Sequence, residues 1–462
     1  MAGDTTAADV VVVGAGAAGL AAAHHLTRAG LTTVVLEAAS GVGGRMSTEK
    51  VDGFRLDRAG RLLSTAYPGL RSTPGLDALV LRPFSPGVLL CADGVHHRAG
   101  EPVAPRRARG ALTVVRALAS APRPQLAQRA ARRPRPAETD GAAHRPGPLG
   151  TSADRARLNA ALARIAAAPP GRLMAGPDVP AGRAPSVRGL PARTVEGFLR
   201  PLVAALLCDP SPGTSSRCAD LALHAFMTGR LCLPEGGSDA LPELLAAGLP
   251  PGTVHTGVRV TAVSTTSVTT REHGELRCRA VLLATGARAA AELLPGLRVP
   301  GFHPVTVLHH TTDEPPLREP ALLLDADRTG PVNHTAVISE VDPTRAPAGR
   351  SLVSSTVLGA APDAGRLDAA VRAQLAHLYG TPTSRWELLA VHHDPEAVPA
   401  MPAPHDLRRP VRILAGLYVC GDHRDTSTVQ GALHSGRRAA HALLADLGVR
   451  RAPLPKTLGT AA

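Results

Sequence analysis

The N-terminal stretch constrains the fold of this chain more than any other. Residues 9–37 run DVVVVGAGAAGLAAAHHLTRAGLTTVVLE. The apolar run Val10–Val13 predicts a buried parallel strand, Leu20–Arg28 a helix, and Thr32–Leu36 a second strand that ends on an acid, Glu37. Between the first strand and the helix lies Gly14-Ala15-Gly16-Ala17-Ala18-Gly19, a G-x-G-x-x-G turn. Gly14 permits the tight turn, Gly16 lets a pyrophosphate approach the backbone, and Gly19 lets helix and strand pack closely. The helix N-terminus offers free N–H groups and a positive dipole end to phosphates. Glu37 is placed to take the ribose hydroxyls of an adenosine. A glycine-rich turn alone says little, since it also serves packing in an ordinary α/β unit. Strand, turn, helix, second strand and terminal acid in this order point to dinucleotide binding.

The chain has 462 residues, 44% of them hydrophobic, enough for two or more packed lobes. Its formal charge of +13 invites a nucleic-acid reading, but only Lys50 and Lys456 are lysines and aromatics make up 2%. No aromatics are interleaved with the arginine runs, as base stacking would require, so no nucleic-acid partner is expected. Attraction to anionic lipid stays open. Six cysteines are scattered without C-x-x-C pairs or zinc spacing, which argues for a reducing compartment and against a disulfide framework or metal site. No signal peptide is expected, because the N-terminal apolar stretch is short and spent on the first strand. The longest apolar candidate, Phe198–Cys208, is broken by Arg200 and Pro201 and falls short of a membrane span. A cytoplasmic protein is expected, with peripheral membrane contact open.

Further along, Gly43-Gly44-Arg45 suits a phosphate-facing loop, where backbone N–H groups and a guanidinium share one anion. Val51–Leu63 reads as strand and turn leading to Gly60-Arg61-Leu62. Residues 99–195 form an Arg/Pro/Ala-rich insertion, helical or partly disordered, with short helices at Leu112–Ala121 and Ala153–Ala167. Glu196–Cys208, Ser216–Thr228 and Leu241–Ala247 read as helices, Leu233–Gly237 as a turn, Thr253–Val263 as a strand pair. Val268–Arg271 and Glu275–Ala280 suggest a hairpin, and Ala280–Gly286 an apolar strand ending in Ala-Thr-Gly. Val305–His310, Leu322–Leu324, Val332–Val341 and Ser351–Leu358 form a β-rich middle. Ala369–Tyr379 reads as a helix, Trp386–His392 as an edge strand, Leu417–Cys420 as a strand, and Val429–Leu444 as an Ala-rich helix.

Taken together these residues resemble the FAD-dependent amine oxidase and phytoene desaturase superfamily, most of all its desaturase-like bacterial branch. The motifs that carry the resemblance are the N-terminal turn with Glu37, Gly43-Gly44-Arg45, Asp52-Gly53-Phe54 with Asp57, the Val258–Val263 strand, Ala284-Thr285-Gly286, and Gly421-Asp422 with Gln430-Gly431-Ala432 and Ser435-Gly436. The resemblance implies an α/β fold: a Rossmann-type FAD-binding domain (GR2-like) and a substrate domain of mixed sheet and helices. The FAD domain would take residues 1–98, 251–300 and 411–450, the substrate side 99–195, 196–250 and 301–410, and 451–462 would be a tail. FAD would be held by Gly14, Ala15, Gly16, Ala18, Gly19, Glu37 and Ala38, by Gly43, Gly44 and Arg45, and by Gly60, Arg61 and Leu62. Val260 would meet the adenine, beside Thr285 and Gly286. Gly421 and Asp422 would face the pyrophosphate and ribityl chain, and Val429, Gln430 and Ala432 the isoalloxazine.

Two departures bear on chemistry. Many amine oxidases use a lysine to hold a water at flavin N5, and neither Lys50 nor Lys456 is placed for that. They also commonly set an aromatic before the C-terminal helix, where this chain has Asp425-Thr426-Ser427-Thr428. Both push the expectation from amine oxidation towards desaturation of a hydrophobic small molecule by hydride transfer to flavin, with oxygen or a quinone as acceptor. An amine oxidase with an atypical site, and a non-redox or non-catalytic flavoprotein, stay open as alternatives. The catalytic residue is not fixed; His423, Arg424 and His434 are candidates near the flavin edge.

Overall fold

The computed structural model describes residues 8–101, 147–184, 187, 189–211, 213–360 and 364–449. Two large sheets organise them. The first is built on five parallel strands in the order Val254–His255, Thr33–Leu36, Ala8–Val13, Gly274–Leu283, Leu417–Val419. Val10 pairs with Thr33 on one side and Ala280 on the other, so strands about 270 residues apart in the chain become neighbours. Such strands are covered on both faces and read as unbroken apolar runs. Val10, Val12, Ala280 and Leu282 are accordingly inaccessible to solvent. The N-terminal half of Gly274–Leu283 turns back antiparallel onto Ser267–Thr270, which pairs with Val260–Val263.

Helix Ala17–Arg28 packs on this sheet beside the C-terminal helix Val429–Asp446. The two cross at glycine. A Cβ on Gly436 would lie 2.3 Å from the Ala18 carbonyl oxygen, and one on Gly19 would lie 2.1 Å from that of Gly14. Close approach of helix to helix and helix to turn therefore depends on absent side chains. Leu20, Leu26, Leu443 and Leu444 fill the space between the layers, each contributing roughly 1.5–3 kcal/mol by its burial.

The second sheet has seven strands, in the order Glu387–Pro399, Phe302–Thr312, Ser351–Leu358, Val332–Val337, Leu323–Asp325, Val88–Ala92, Val95–Ala99. Helix Ala364–Tyr379 covers one face through Leu367, Val371, Leu375 and Leu378, a stripe at helical spacing. Helices Ser152–Ala167, Arg200–Leu207 and Ser216–Thr228 build a separate apolar core against the far end of the sheet, around Phe198, Leu202 and Leu90. Arg345 joins the lobes. It is 1% exposed and pairs with Asp57, at the end of strand Phe54–Asp57, at 3.0 Å and with Asp342 at 3.1 Å.

The structure departs from the sequence reading at several places. Val88–Ala92 and all but the last residue of Val95–Ala99 fall within residues 1–98, given to the nucleotide domain, yet they pair into the second sheet. The apolar run Val88–Ala92 and the polar Val95–Ala99 carry no signature of which sheet they join. Thr253–Val263 holds two strands, but they lie on opposite edges of the first sheet and do not pair. Leu231–Pro234 is a strand and the turn follows it. Val332–Val341 becomes a helical turn at Ile338, and Trp386–His392 is the start of a strand running to Pro399, at the sheet edge as expected. The helix read at Leu112–Ala121 and the tail 451–462 lie outside the described residues.

Candidate active site

The parallel strands end along one edge of the first sheet, where an elongated cleft of about 540 Å³ opens. In open α/β sheets this edge is where ligands bind. At one end Glu37, Ala38, Val258, Val260 and Thr261 line it; Gly14, Gly16, Ala18, Gly43, Gly44 and Arg45 line the middle; Arg61, Asp422, Val429 and Ala432 line the far end. Thr285 and Gly286 close one side. The cleft thus gathers most of the residues singled out from sequence.

Five of them stand elsewhere. Ala15 and Gly19 lie behind the turn: the Ala15 N–H donates to Glu37 Oε2 at 2.8 Å, and Gly19 faces Gly14 and Ala284. Gly60 and Leu62 line a second, smaller cavity. The Gln430 side chain turns away, its Oε1 accepting from the Gly69 N–H at 2.7 Å. Sequence reasoning missed Val258, Thr261, Ala289 and Leu293, which widen the adenosine end. Ala289 and Leu293 lie on helix Ala287–Leu293, which follows the Thr285-Gly286 turn, and Val258 and Thr261 lie at the Val258–Val263 stretch already singled out; those adjacencies were the available signal.

The first turn of helix Ala17–Arg28 tests whether a phosphate-bearing ligand fits. Gly16 caps that helix with extended backbone and no side-chain hydrogen bond, so its leading N–H groups have no internal cap. A Cβ on Gly16 or Gly44 would meet nothing within 4 Å, so both face open space. Glu37 contributes differently from expectation. Its Oε2 is held by Ala15 and its Oε1 accepts from the Ala39 N–H at 2.9 Å, so the carboxylate also pins the glycine turn to the strand end. These features fit an extended dinucleotide.

At the far end Arg45 bonds Asp422 at 2.6 Å and donates to the Ala397 carbonyl at 2.8 Å. Burial pushes the Asp422 carboxyl up, but the charge and hydrogen bond of Arg45 outweigh it and leave the group below the usual carboxylate range. Arg61 donates to the same Ala397 carbonyl at 2.8 Å and to Ser427 O at 2.9 Å. Thr428 caps the C-terminal helix by accepting from the Gly431 N–H at 3.1 Å. That helix start therefore faces the cleft with its positive end.

The second cavity, about 40 Å³, lies between the Gly60 loop and the seven-stranded sheet. Leu62, Phe84, Leu233, Val307 and Leu322 give it apolar walls, with His309, His334, Ser354 and Thr356 among them and the charged Arg55, Asp57 and Arg345 at one side. A Cβ on Gly60 would lie 3.1 Å from Thr356 Oγ1 and 3.2 Å from Val307 Cγ2. Both ring nitrogens of His309 are engaged, Nδ1 with Ser354 Oγ at 2.8 Å and Nε2 with Asp57 O at 3.0 Å. Burial pushes both His309 and His334 down to about 4, so both are neutral at pH 7.

None of the three catalytic candidates lines either cavity. His434 Nδ1 bonds Asp425 at 2.8 Å. His423 is buried, packed against Gly421, and burial pushes it down to about 4. Arg424 lies on the same turn. All six cysteines are buried free thiols. Among the described residues there is no cluster of three metal-ligating side chains, and no helix is long and apolar enough to cross a membrane.

Known proteins place this geometry. A sequence model described as flavin containing amine oxidoreductase matches residues 17–444. Putrescine oxidase of Kocuria rosea is 44% identical over 92 residues, 19% of this chain and 19% of that one. Pseudooxynicotine dehydrogenase of a Pseudomonas species is 44% identical over 62 residues, 13% of this chain and 12% of that one. The matched stretch thus spans less than a fifth of either relative. Among solved structures, an oxidoreductase from Methanosarcina mazei superposes with a TM-score of 0.67 at 17% identity, over 94% of this chain and 99% of that one. A putative protoporphyrinogen oxidase from Exiguobacterium gives 0.66 at 18%, over 96% and 100%. At such identities the likeness is one of fold.

Proposed function

Since the chain belongs to the flavin-containing amine oxidoreductases and FAD is its cofactor, we propose that it oxidises a hydrophobic small molecule by dehydrogenation, with hydride passing to the flavin. The observation that carries this reading is the contact of Gly60 with Val307 and Thr356. There the Gly60 loop packs closely on the seven-stranded sheet at the buried Val307, and among the described residues no lysine lines either cavity. Lys50 is the exposed residue of the half-buried strand Thr48–Val51. Thr428 stands at the entrance of the C-terminal helix, with no aromatic beside it in the cleft.

Bound FAD supplies the electron sink. The chain's residues do the rest. Gly14, Gly16 and the helix N-terminus hold the pyrophosphate, with Gly43, Gly44 and Arg45 beside it, and Glu37 with Val260 and Thr261 frames the adenosine. Asp422 neutralises Arg45 and fixes its direction. The N-terminus of helix Val429–Asp446, with Arg61, provides positive potential where negative charge gathers on reduction. Leu62, Phe84, Val307 and Leu322 would keep water from the neighbourhood of the flavin end, beside neutral His309 and His334 and the mutually paired Asp57 and Arg345. A substrate that loses hydride and proton from carbon is compatible with such walls. Oxygen or a quinone is the proposed acceptor.

A second reading, oxidation of an amine, is favoured by the short stretch shared with putrescine oxidase. Anaerobic mixing of the FAD-loaded protein with polyenes and with primary amines separates the two. Bleaching of the flavin band by a polyene and not by an amine supports desaturation. Bleaching by amines alone overturns it.

A further inference from the structure

One face of the seven-stranded sheet carries polar side chains where it closes on the Gly60 loop. Residues two apart in a strand share a face. Val307 and His309, Ser354 and Thr356, and His334 and Ala336 accordingly all line the second cavity. The register sets them on two rungs. Ser354 stands between His309 and Ala336, and Thr356 between Val307 and His334. The rest of the wall is largely apolar. Polar groups in such surroundings are costly unless bonded, so the way each one is bonded decides what the cavity can take.

The His309 tautomer follows from its partners. Nε2 lies 3.0 Å from Asp57 O, a carbonyl that can only accept, so Nε2 carries the proton. The ring is neutral, since burial pushes it down to about 4. Nδ1 is therefore an acceptor, and the 2.8 Å bond between it and Ser354 Oγ is donated by the serine. That commits the Ser354 proton and leaves its oxygen as an acceptor. On the next rung His334, also neutral, has Nδ1 3.0 Å from Asn333 Oδ1, so its Nε2 is a second acceptor. The charged side chains at the cavity are committed elsewhere. Asp57 accepts from the Thr48 hydroxyl, the Ser238 N–H and Arg345. Arg345 also serves Asp342, and Arg55 donates to Gly236 O and pairs with Asp239. Among the described residues the cavity thus offers neutral acceptors and no uncommitted carboxylate. A ligand ammonium would be buried there without a counter-charge, whereas a hydroxyl would find an acceptor.

The cavity of about 40 Å³ has room for about three non-hydrogen atoms, so only the head of a larger molecule enters it. Gly60 lines this cavity and Arg61, the next residue, lines the flavin cleft. We propose that Ser354 is a specificity-determining residue that accepts a hydrogen bond from the hydroxyl of a lipophilic alcohol. His309 acts through it, as a positioning residue that keeps the serine oxygen an acceptor. The proposal rests on the reading of the substrate as a hydrophobic small molecule and names the head group such a molecule carries.

The test uses the full-length, FAD-saturated protein and three probes with one skeleton: geraniol, geranylamine and the hydrocarbon 2,6-dimethylocta-2,6-diene. Each is titrated anaerobically, with binding read from the shift of the flavin band and oxidation from its bleaching. Geraniol should bind roughly tenfold more tightly than the hydrocarbon, the worth of one buried hydrogen bond, and more tightly than the amine. Ser354→Ala should bring geraniol to the level of the hydrocarbon and leave hydrocarbon affinity unchanged, a selective loss that a merely structural role would not produce. Ser354→Cys, of the same shape and a poor acceptor, serves if the alanine variant misfolds. Ser354→Thr keeps the oxygen and should keep the preference. His309→Gln keeps a donor for Asp57 O but lets the serine hydroxyl turn, and should narrow the preference without abolishing it. Equal affinity for alcohol and hydrocarbon in the parent overturns the proposal. So does a preference that survives in folded Ser354→Ala, or tightest binding of the amine. Geraniol that shifts the band without bleaching it supports the binding site and counts against geraniol oxidation. Bleaching by the hydrocarbon with no alcohol preference keeps the oxidation reading and overturns the site.

Discussion

Replacing Arg345 with methionine tests the electrostatic joint between the lobes. The guanidinium is 1% exposed and serves two carboxylates, Asp57 at 3.0 Å and Asp342 at 3.1 Å. Burial alone would raise the Asp57 carboxyl, but the charge and hydrogen bond of Arg345, with donations from Ser238 N–H and the Thr48 hydroxyl, bring it from 3.8 down to about 2. That fall corresponds to about 2–3 kcal/mol favouring the charged, folded form. Arg345→Met keeps the volume and leaves two buried carboxylates uncompensated, for an expected loss of about 3–5 kcal/mol at pH 7. The pH dependence is the sharper signature. In the parent the Asp57 contribution is present above pH 3.8 and is lost as pH falls towards 2. In the variant burial is opposed only by neutral donors, the carboxyl titrates higher, and its protonation relieves the strain, so the gap between parent and variant narrows as pH falls from 7 to 4. Urea unfolding of both proteins across that range measures it. A gap under about 1 kcal/mol at pH 7, or one that stays constant with pH, would refute the reasoning.

Other outcomes follow from the same geometry. Gly16→Val meets open space, so the variant should fold yet bind FAD poorly; undiminished flavin content in a folded variant counts against the pyrophosphate assignment. Gly436→Ala places its methyl 2.3 Å from Ala18 O and should cost about 1–3 kcal/mol by pushing two helices apart; an unchanged melting temperature contradicts it. Glu37→Ala frees the Ala15 and Ala39 N–H groups as well as the ribose site, and should lower both FAD affinity and the stability of the flavin-free protein, as read by fluorescence titration and thermal melting. His25, His309, His334 and His423 are each pushed by burial to about 4, below the ordinary 6.5. The unfolded chain therefore takes up protons first, and stability should fall from pH 6.5 towards 4 by about 1.4 kcal/mol per pH unit for each group. A flat profile over that interval would show these rings reach solvent.

Local signals were read well where one residue type does one job. Gly14 to Glu37 announced strand, turn and helix because apolar run, glycine spacing and acid agree, and Ser216–Thr228 and Ser351–Leu358 were delimited to the residue by periodicity and flanking turns. Pairings escaped. Nothing in Val88–Ala92 says that its partner is Leu323–Asp325 across more than two hundred residues, and nothing in Thr253–Val263 says that its halves part to opposite edges. Side-chain direction escaped too. Gln430 sits in a motif-like stretch, yet its amide serves Gly69; His423, a candidate base by position, is packed behind the cleft wall. Arg345, which ties Asp57 to Asp342, ends the short 3-10 turn Pro343–Arg345, and no hydrophobic period marks it.

The order of strands in the first sheet has a consequence for biosynthesis. During translation, at about 5–20 residues per second, the N-terminal strand emerges long before Gly274–Leu283, and Leu417–Val419 and the last helix come later still. Until that end arrives, the edge of Gly274–Leu283 stays open, and Asp422, Val429 and Ala432 are missing from the cleft. Nascent chains halted before residue 417 should therefore neither retain flavin nor stay soluble, because an unpaired buried strand is a template for association. Cofactor capture becomes a late checkpoint, reached only after residues 417–446 have followed the rest of the cleft out of the ribosome.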